Sequence, residues 1–142
     1  MCNCHLFFTI QGCKDPKALG LEEGIVKDSQ ITASSQRNQL YAAKNARLNF
    51  QGRVGRKAAW IAKSNNDQEW LQVDLQHEVD LTGVSSQGRH GCTYNQWVES
   101  YTVSHSNNGR YFIDFKQNGD IKVWILMFSF FYFKWGKRNK IS

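Results

Sequence analysis

Six residues near the middle of the chain, Trp70-Leu71-Gln72-Val73-Asp74-Leu75, carry its clearest structural signal. Leu71, Val73 and Leu75 alternate with polar residues, so their side chains share one face of an extended chain. A period of two predicts a β-strand with one face buried and the other in contact with water.

Outward from this strand, short alternating segments recur between polar turns. Val79, Leu81 and Val84 predict a second strand, and Trp97 to His105 predicts a third. The turn Asn107-Asn108-Gly109 then connects to a return strand at Tyr111–Phe115, and Gln117–Asp120 is a further turn. Toward the N-terminus, Ile31–Ser35 is expected to be extended and Ala42–Asn49 to make one helical turn. No long helical period occurs, so the pattern predicts an all-β sandwich or small jelly roll. The predicted core residues are Leu71, Val73, Leu75, Val84 and Val103.

The composition fits one domain with a real core. The chain has 142 residues, of which 41% are hydrophobic. Its net charge of +6 is uneven, because residues 1–120 hold thirteen Lys/Arg against twelve Asp/Glu and residues 121–142 hold five Lys/Arg and no acid. The near-neutral body has no basic stripe, which argues against nucleic-acid binding. The apolar run 123–133 is too short to cross a bilayer as a helix, so any membrane contact is expected to be peripheral.

The chain shows no catalytic or metal-binding signature. Its four cysteines, Cys2, Cys4, Cys13 and Cys92, lack the paired spacing of zinc sites, and its four histidines form no ligand motif. The nucleophile-elbow, phosphate-loop and zinc-protease motifs do not occur. We therefore expect no enzyme activity, no metal and no cofactor.

Several segments, taken in order, resemble one known family. They are Leu19–Gly24, Asp28–Ser35, Ala46–Asn49, Ala59-Trp60, Glu69–Leu75, Thr82–Val84, Gln87–Arg89, Trp97–Tyr101 and Ser106–Gly109. Together they are similar to the discoidin domain, also called the coagulation factor five/eight type C domain. The resemblance implies a galactose-binding-like jelly-roll β-barrel or sandwich. It also implies an extracellular or cell-surface adhesion module whose partners are glycan, anionic phospholipid, collagen or a cell-surface protein.

The resemblance covers only part of the chain. It divides the sequence into an N-terminal extension at 1–12, a partial domain at 13–123 and an aromatic, basic tail at 124–142. The family's last strands and its closing cysteine are missing, so the fold is expected to be incomplete at its C-terminus and Cys13 to lack an intramolecular partner. Two alternatives follow: a truncated structural fragment that binds nothing, or a peptide that uses the tail at a membrane interface. A substitute strand from 123–133 is a further alternative.

The resemblance also implies that three loops at one end of the barrel bind ligand. The matching segments are 36–45, 53–66 and 89–96, and their candidate residues are Arg37, Leu40, Tyr41, Arg53, Arg56, Lys57, Arg89, His90, Tyr94 and Asn95. Each loop has a structural alternative to ligand binding. In the first, Tyr41 packs on its own loop; in the second, the cations form a solvated face; in the third, Arg89 forms an internal ion pair. Trp60, Trp70 and Trp97 are expected in the core, and Arg47 is expected to pair with Asp74 inside the barrel.

Overall fold

A computed structural model describes residues 17–79, 81, 83–89, 96–125 and 139–141. The described residues form three single-turn 3-10 helices, at Asp28–Gln30, Gln39–Tyr41 and Ala43–Asn45. They also form eight strands: β1 Ile31–Ala33, β2 Leu71–Val73, β3 Ser100–His105, β4 Ile113–Asp114, β5 Lys116–Gln117, β6 Asp120–Ile121, β7 Val123–Ile125 and β8 Asn139–Ile141. The described part of the chain is thus β-rich with no long helix, as its polar turns and short alternating segments predict.

The main sheet has the strand order β1-β2-β8-β3-β4, and β7 also pairs with β3. The alternating segment supplies β2, which pairs antiparallel with β1 in the register Ile31↔Val73. On its other side β2 pairs antiparallel with β8, and β8 pairs antiparallel with β3. Since both β2 and β3 run opposite to β8, they run in the same direction, and the loops that precede them leave from the same end of the sheet. Within the described ranges the sheet stays open and does not close into a barrel.

The return strand is interrupted by a small hairpin. β4 pairs with β3 at Ser104↔Asp114, and β7 resumes pairing at Thr102↔Val123 along the same line. Residues 116–122 leave this line as the β5–β6 hairpin, and the backbone N–H of Lys122 donates to the Phe115 carbonyl at its base (3.0 Å). The sequence therefore predicts the hairpin partner of β3 correctly, but the partner is two strand segments separated by an excursion.

The core lies on one face of this sheet. Leu71, Val73, Leu75, Tyr101 and Val103 are buried together, as the alternation predicts. The remaining members of the cluster come from the N-terminal segment and the 3-10 turns: Leu21, Val26, Ile31, Ala43 and Ala46. Val84, expected in the core, is only half-buried and packs against its edge.

Two other expectations about this part of the chain are wrong. The described residues 79, 81, 83 and 84 are not in a strand, so the expected second strand is absent there. Trp97, expected in the core, is 40% exposed beside the third loop, whereas Trp60 packs against the core and Trp70 is half-buried.

Arg47 is buried and fixes the N-terminal segment to the body of the domain. Its guanidinium donates to the carbonyls of Leu21 (2.7 Å) and Val26 (2.9 Å) and forms an ion pair with Asp28 (2.6 Å). The predicted pairing of Arg47 with Asp74 is therefore wrong. Asp74 directly follows β2, where its backbone N–H donates to the Gln30 carbonyl and its carboxylate accepts from the Gln76 N–H.

Part of the segment 124–142, which the sequence predicts to be a separate tail, takes part in the sheet. β7 begins at Val123 and β8 lies at Asn139–Ile141, between β2 and β3. Both strands pair with β3, so the described residues of this segment, 124–125 and 139–141, are paired within the sheet. Cys2, Cys4, Cys13 and Cys92 lie outside the described residues, and with them the expectation about Cys13.

Candidate functional site

Three loops meet at one end of the sheet, which we call the loop end. They comprise residues 36–45 after β1, residues 53–66 before β2 and residues 89–96 before β3, of which 90–95 lie outside the described residues. β1 is antiparallel to β2, so the chain leaves β1 where it enters β2. β3 starts at this same end because it runs parallel to β2. The sheet topology thus brings residues 36–45, 53–66, 89 and 96 to the same end.

The first loop is built from two 3-10 turns. The Asn38 side chain accepts a hydrogen bond from the Leu40 N–H (3.0 Å) and so caps the first turn. The Asn45 amide donates to the Leu40 carbonyl (2.7 Å) from a buried position in the second turn. These bonds hold Leu40 at the surface, where its side chain is 40% exposed.

The second loop carries a tight hairpin. The backbones of Arg53 and Arg56 exchange two hydrogen bonds of 2.8 Å each, which leaves Val54 and Gly55 as the two turn residues. Gly55 has φ +74°, a left-handed conformation that glycine adopts without strain. Val54 therefore projects from the tip and is completely exposed to solvent.

Backbone hydrogen bonds join the first two loops. The Lys57 N–H donates to the Leu40 carbonyl (2.8 Å), the Arg37 N–H to the Ile61 carbonyl (2.8 Å) and the Ile61 N–H to the Tyr41 carbonyl (3.3 Å). At their base the Trp60 indole N–H donates to the Ser35 carbonyl (2.9 Å). The two loops are thus one hydrogen-bonded unit, and the Val54 tip has a defined position relative to Leu40.

Glu69 closes the base of this unit. Its carboxylate accepts hydrogen bonds from the hydroxyls of Ser34 and Ser35, both at 2.5 Å. The Ser35 hydroxyl in turn accepts from the Lys63 N–H (2.9 Å). The hydrogen bonds from the two serines lower the pKa of the Glu69 carboxyl, because they stabilise its charged form.

Arg56, one of the candidate ligand residues, supports the loops from inside. Its guanidinium donates to Asn45 Oδ1 (2.8 Å) and to the Lys44 carbonyl (2.9 Å), pairs with Asp28 (3.2 Å) and lies over the Phe50 ring. Burial alone would raise the pKa of the Asp28 carboxyl, but the hydrogen bond from Arg47 and the charges of Arg56 and Arg47 outweigh it and lower that pKa. Arg56 is therefore an anchor for the hairpin rather than an exposed cation.

Tyr41 and Arg89, from different loops, are in contact. The Arg89 guanidinium lies 5.2 Å from the centre of the Tyr41 ring and that of Arg37 lies 6.0 Å from it, both within cation–π range. Arg89 is held by Gln96, whose side-chain oxygen accepts from Nη1 (2.6 Å) and whose backbone carbonyl accepts from the Arg89 N–H (3.0 Å). Arg89 thereby packs against the first loop, and both Tyr41 and Arg89 are half-buried.

The exposed surface of the loop end is cationic with apolar points. Arg37, Arg53, Lys57 and Lys63 are exposed among the described residues. His90, Tyr94 and Asn95 lie outside the described residues. Within the described ranges no three His, Cys, Asp or Glu residues come together as a metal site, and no helix is long and apolar enough to span a membrane.

Val54 is the residue that reasoning from the sequence did not select. The relevant signal is the turn Arg53-Val54-Gly55-Arg56, because an apolar residue beside a turn glycine has no neighbouring strand to bury it. The arginines that flank Val54 indicate a charged surface, whereas a single valine carries little signal of its own.

Comparison with known proteins agrees with this architecture. The family model of the F5/8 type C domain matches residues 30–126. Human coagulation factor VIII is 38% identical over 117 residues, which cover 80% of this chain and 5% of factor VIII. Rat lactadherin is 38% identical over 120 residues, or 80% of this chain and 27% of lactadherin.

Discoidin II of Dictyostelium discoideum has a similar structure, with a TM-score of 0.63 at 17% identity over 78% of this chain and 47% of that one. The chain covers 5% of factor VIII and 27% of lactadherin, so it spans a small part of the curated relatives it matches. The family match, the relatives and the shared fold agree, and the chain belongs to the F5/8 type C, or discoidin, domain family.

Proposed function

We propose that this domain is a non-catalytic extracellular recognition module that binds an anionic phospholipid surface through its loop end. The observation that carries the proposal is the fully exposed Val54 at the tip of a braced hairpin, with exposed Arg53 and Lys57 beside it. The extracellular location is proposed from the family.

An apolar tip and a ring of cations act on different parts of a lipid surface. An apolar side chain gains free energy when it leaves water for the acyl boundary, and each Lys or Arg near an anionic surface contributes about 1 kcal/mol. Leu40, half-exposed on the first loop, is joined to the second loop through the Lys57 N–H and offers a second apolar contact. Because backbone hydrogen bonds hold the first two loops together before binding, little conformational entropy is lost on contact with the surface.

Glycan, collagen and cell-surface proteins are the competing partners. The contact between Tyr41 and Arg89 would suit a sugar ring or a peptide carboxylate, since an aromatic face and a guanidinium recognise both. Val54 favours lipid over a glycan, because an isolated apolar residue on a protruding turn has no concave wall with which to enclose a small ligand.

The two alternatives to a binding domain make different demands on the chain. A membrane-interface peptide would use the tail itself, but β7 and β8 from that tail pair with β3. A non-binding fragment would not need an ordered loop end, but the first two loops are joined by backbone hydrogen bonds. Both observations support a folded recognition module.

Vesicle binding tests the proposal. The whole chain is titrated with vesicles of phosphatidylcholine alone and with phosphatidylserine added, at low and high salt. We expect binding only to the anionic vesicles, weakened by salt because exposed charges are screened over about 10 Å at 0.1 M.

A matched pair of double variants locates the site. Arg53→Gln with Lys57→Gln should weaken binding roughly 30-fold, at about 1 kcal/mol for each cation. Lys116→Gln with Lys122→Gln removes the same charge from the β5–β6 hairpin and should leave binding unchanged. Equal losses from both pairs would show that net charge, not the loop end, binds the surface. Binding to galactose or collagen but not to vesicles would replace lipid as the partner, and a folded chain that binds none of these would be the non-binding fragment.

A further inference from the structure

The chain contains two Asn-Gly sequences, Asn108-Gly109 and Asn118-Gly119. In such a pair the backbone nitrogen of the glycine can attack the side-chain amide carbon of the asparagine, because glycine has no side chain to obstruct the approach. The two pairs have the same local chemistry, so a difference in their reactivity must come from the fold.

The first pair is held by hydrogen bonds on both reacting groups. The side-chain oxygen of Asn108 accepts from the backbone N–H groups of Arg110 (2.9 Å) and Tyr111 (3.1 Å) and from the Ser106 hydroxyl (3.1 Å). The Gly109 N–H donates to the Ser106 oxygen (2.9 Å), and Ser106 is buried. The amide carbon and the attacking nitrogen are therefore both restrained.

The second pair lies at the exposed tip of the β5–β6 hairpin. Asn118 and Gly119 both have left-handed backbones, with φ +56° and +93°, as a two-residue hairpin turn requires. Both residues are exposed. Among the hydrogen bonds of the described residues, none engages the Asn118 side chain or the Gly119 N–H.

We propose that Asn118 is a site of spontaneous deamidation and that the fold protects Asn108. The Gly119 nitrogen bonds to the Asn118 amide carbon and loses its proton to water, and the bond from that carbon to the side-chain nitrogen breaks to release ammonia. Water then opens the succinimide ring at either carbonyl, giving aspartate or isoaspartate. One water is consumed and one ammonia is released, with no oxidant or cofactor.

The modification changes the hairpin and leaves the sheet pairing alone. Residues 116–122 carry Lys116, Lys122 and Asp120, a net of +1, and the new carboxylate brings that net to zero. Isoaspartate also adds a methylene to the backbone of a two-residue turn, which alters the register between β5 and β6. The β3–β4 and β3–β7 pairings lie outside this excursion.

The test compares the two sites within one chain. The folded protein and the urea-denatured protein are aged at mildly alkaline pH, then digested and mapped by mass spectrometry, with isoaspartate identified by enzymatic methylation. In the folded protein we expect Asn118 to react at least about tenfold faster than Asn108, whose release requires several hydrogen bonds to break. In urea the two sites should react at similar rates.

A variant tests the protection separately. Ser106→Ala removes the hydroxyl that bonds both Asn108 and Gly109, so it should accelerate reaction at Asn108 and leave Asn118 unchanged. Equal rates at the two sites in the folded wild-type chain, or a faster Asn108, would overturn the proposal whether or not the variant folds.

Discussion

Replacing Arg47 with methionine tests what fixes the N-terminal segment to the domain. The Arg47 side chain is 9% exposed, and it donates to two backbone carbonyls and to Asp28. A hydrogen bond to a charged group contributes about 1.5–3 kcal/mol, and a buried charge partner removed from its site costs about 3–5 kcal/mol. We therefore expect Arg47→Met to lower the free energy of unfolding by about 3–5 kcal/mol, measured by urea denaturation.

The Asp28 carboxylate should contribute much less. Its side chain is 44% exposed, so its ion pairs are screened by solvent, and Asp28→Asn should cost about 1 kcal/mol or less. Double-mutant cycles then assign the partner of Arg47. We expect coupling with Asp28 above about 0.5 kcal/mol and none with Asp74. Arg47→Met within about 1 kcal/mol of wild type, or coupling with Asp74 instead, would refute this account of the buried arginine.

The core, the base of the first two loops and the Arg53–Arg56 hairpin each give one further prediction. Leu71 is 1% exposed, so Leu71→Ala should lower the free energy of unfolding by about 2–5 kcal/mol in the same urea assay. A smaller loss would show that the site is loosely packed. The pKa of Glu69 is lowered in the folded protein, so the stabilisation from its hydrogen bonds to Ser34 and Ser35 is present above its ordinary pKa of 4.5 and is lost as the pH falls through the lower folded value. Glu69→Gln should therefore flatten the acid limb of a curve of unfolding free energy against pH, and an unchanged curve would contradict this. Gly52 and Gly55 both have left-handed backbones, but only at Gly52 would a Cβ approach the Arg56 carbonyl oxygen, at 3.0 Å. Gly52→Ala should therefore lower the free energy of unfolding by more than the roughly 1–2 kcal/mol expected for Gly55→Ala. Equal losses of stability in calorimetry would exclude the clash.

The sequence predicts the strands whose side chains alternate. β2 and β3 have one face in the core, and a period of two records that burial directly in the residue types. The sequence also predicts the turns at Asn108-Gly109 and Asn118-Gly119, because asparagine and glycine tolerate left-handed backbones. It does not predict the excursion between β4 and β7, since an interrupted strand and a continuous strand contain similar apolar residues.

Long-range partners were the part that sequence reasoning missed. Arg47 pairs with Asp28 across the N-terminal segment, and residue types alone do not say which carboxylate a buried arginine reaches. The division of cations at the loop end is similar: Arg53 and Arg56 bracket one turn, yet only Arg56 turns inward to Asn45. Which of two equivalent charges faces water depends on packing against a distant segment.

The most direct test of the loop end compares two exposed aliphatic residues at opposite ends of the sheet. Val54 lies at the hairpin tip, and Ile113, 64% exposed, lies in β4 beside the C-terminal end of β3, away from the loops. The binding of Val54→Ser and Ile113→Ser to phosphatidylserine vesicles should differ. Full burial of a valine is worth about 1.5–3 kcal/mol, so partial insertion predicts a loss of about tenfold for Val54→Ser and no loss for Ile113→Ser. Wild-type affinity in Val54→Ser, or an equal loss in Ile113→Ser, would contradict the claim that this domain binds membranes through its loop end.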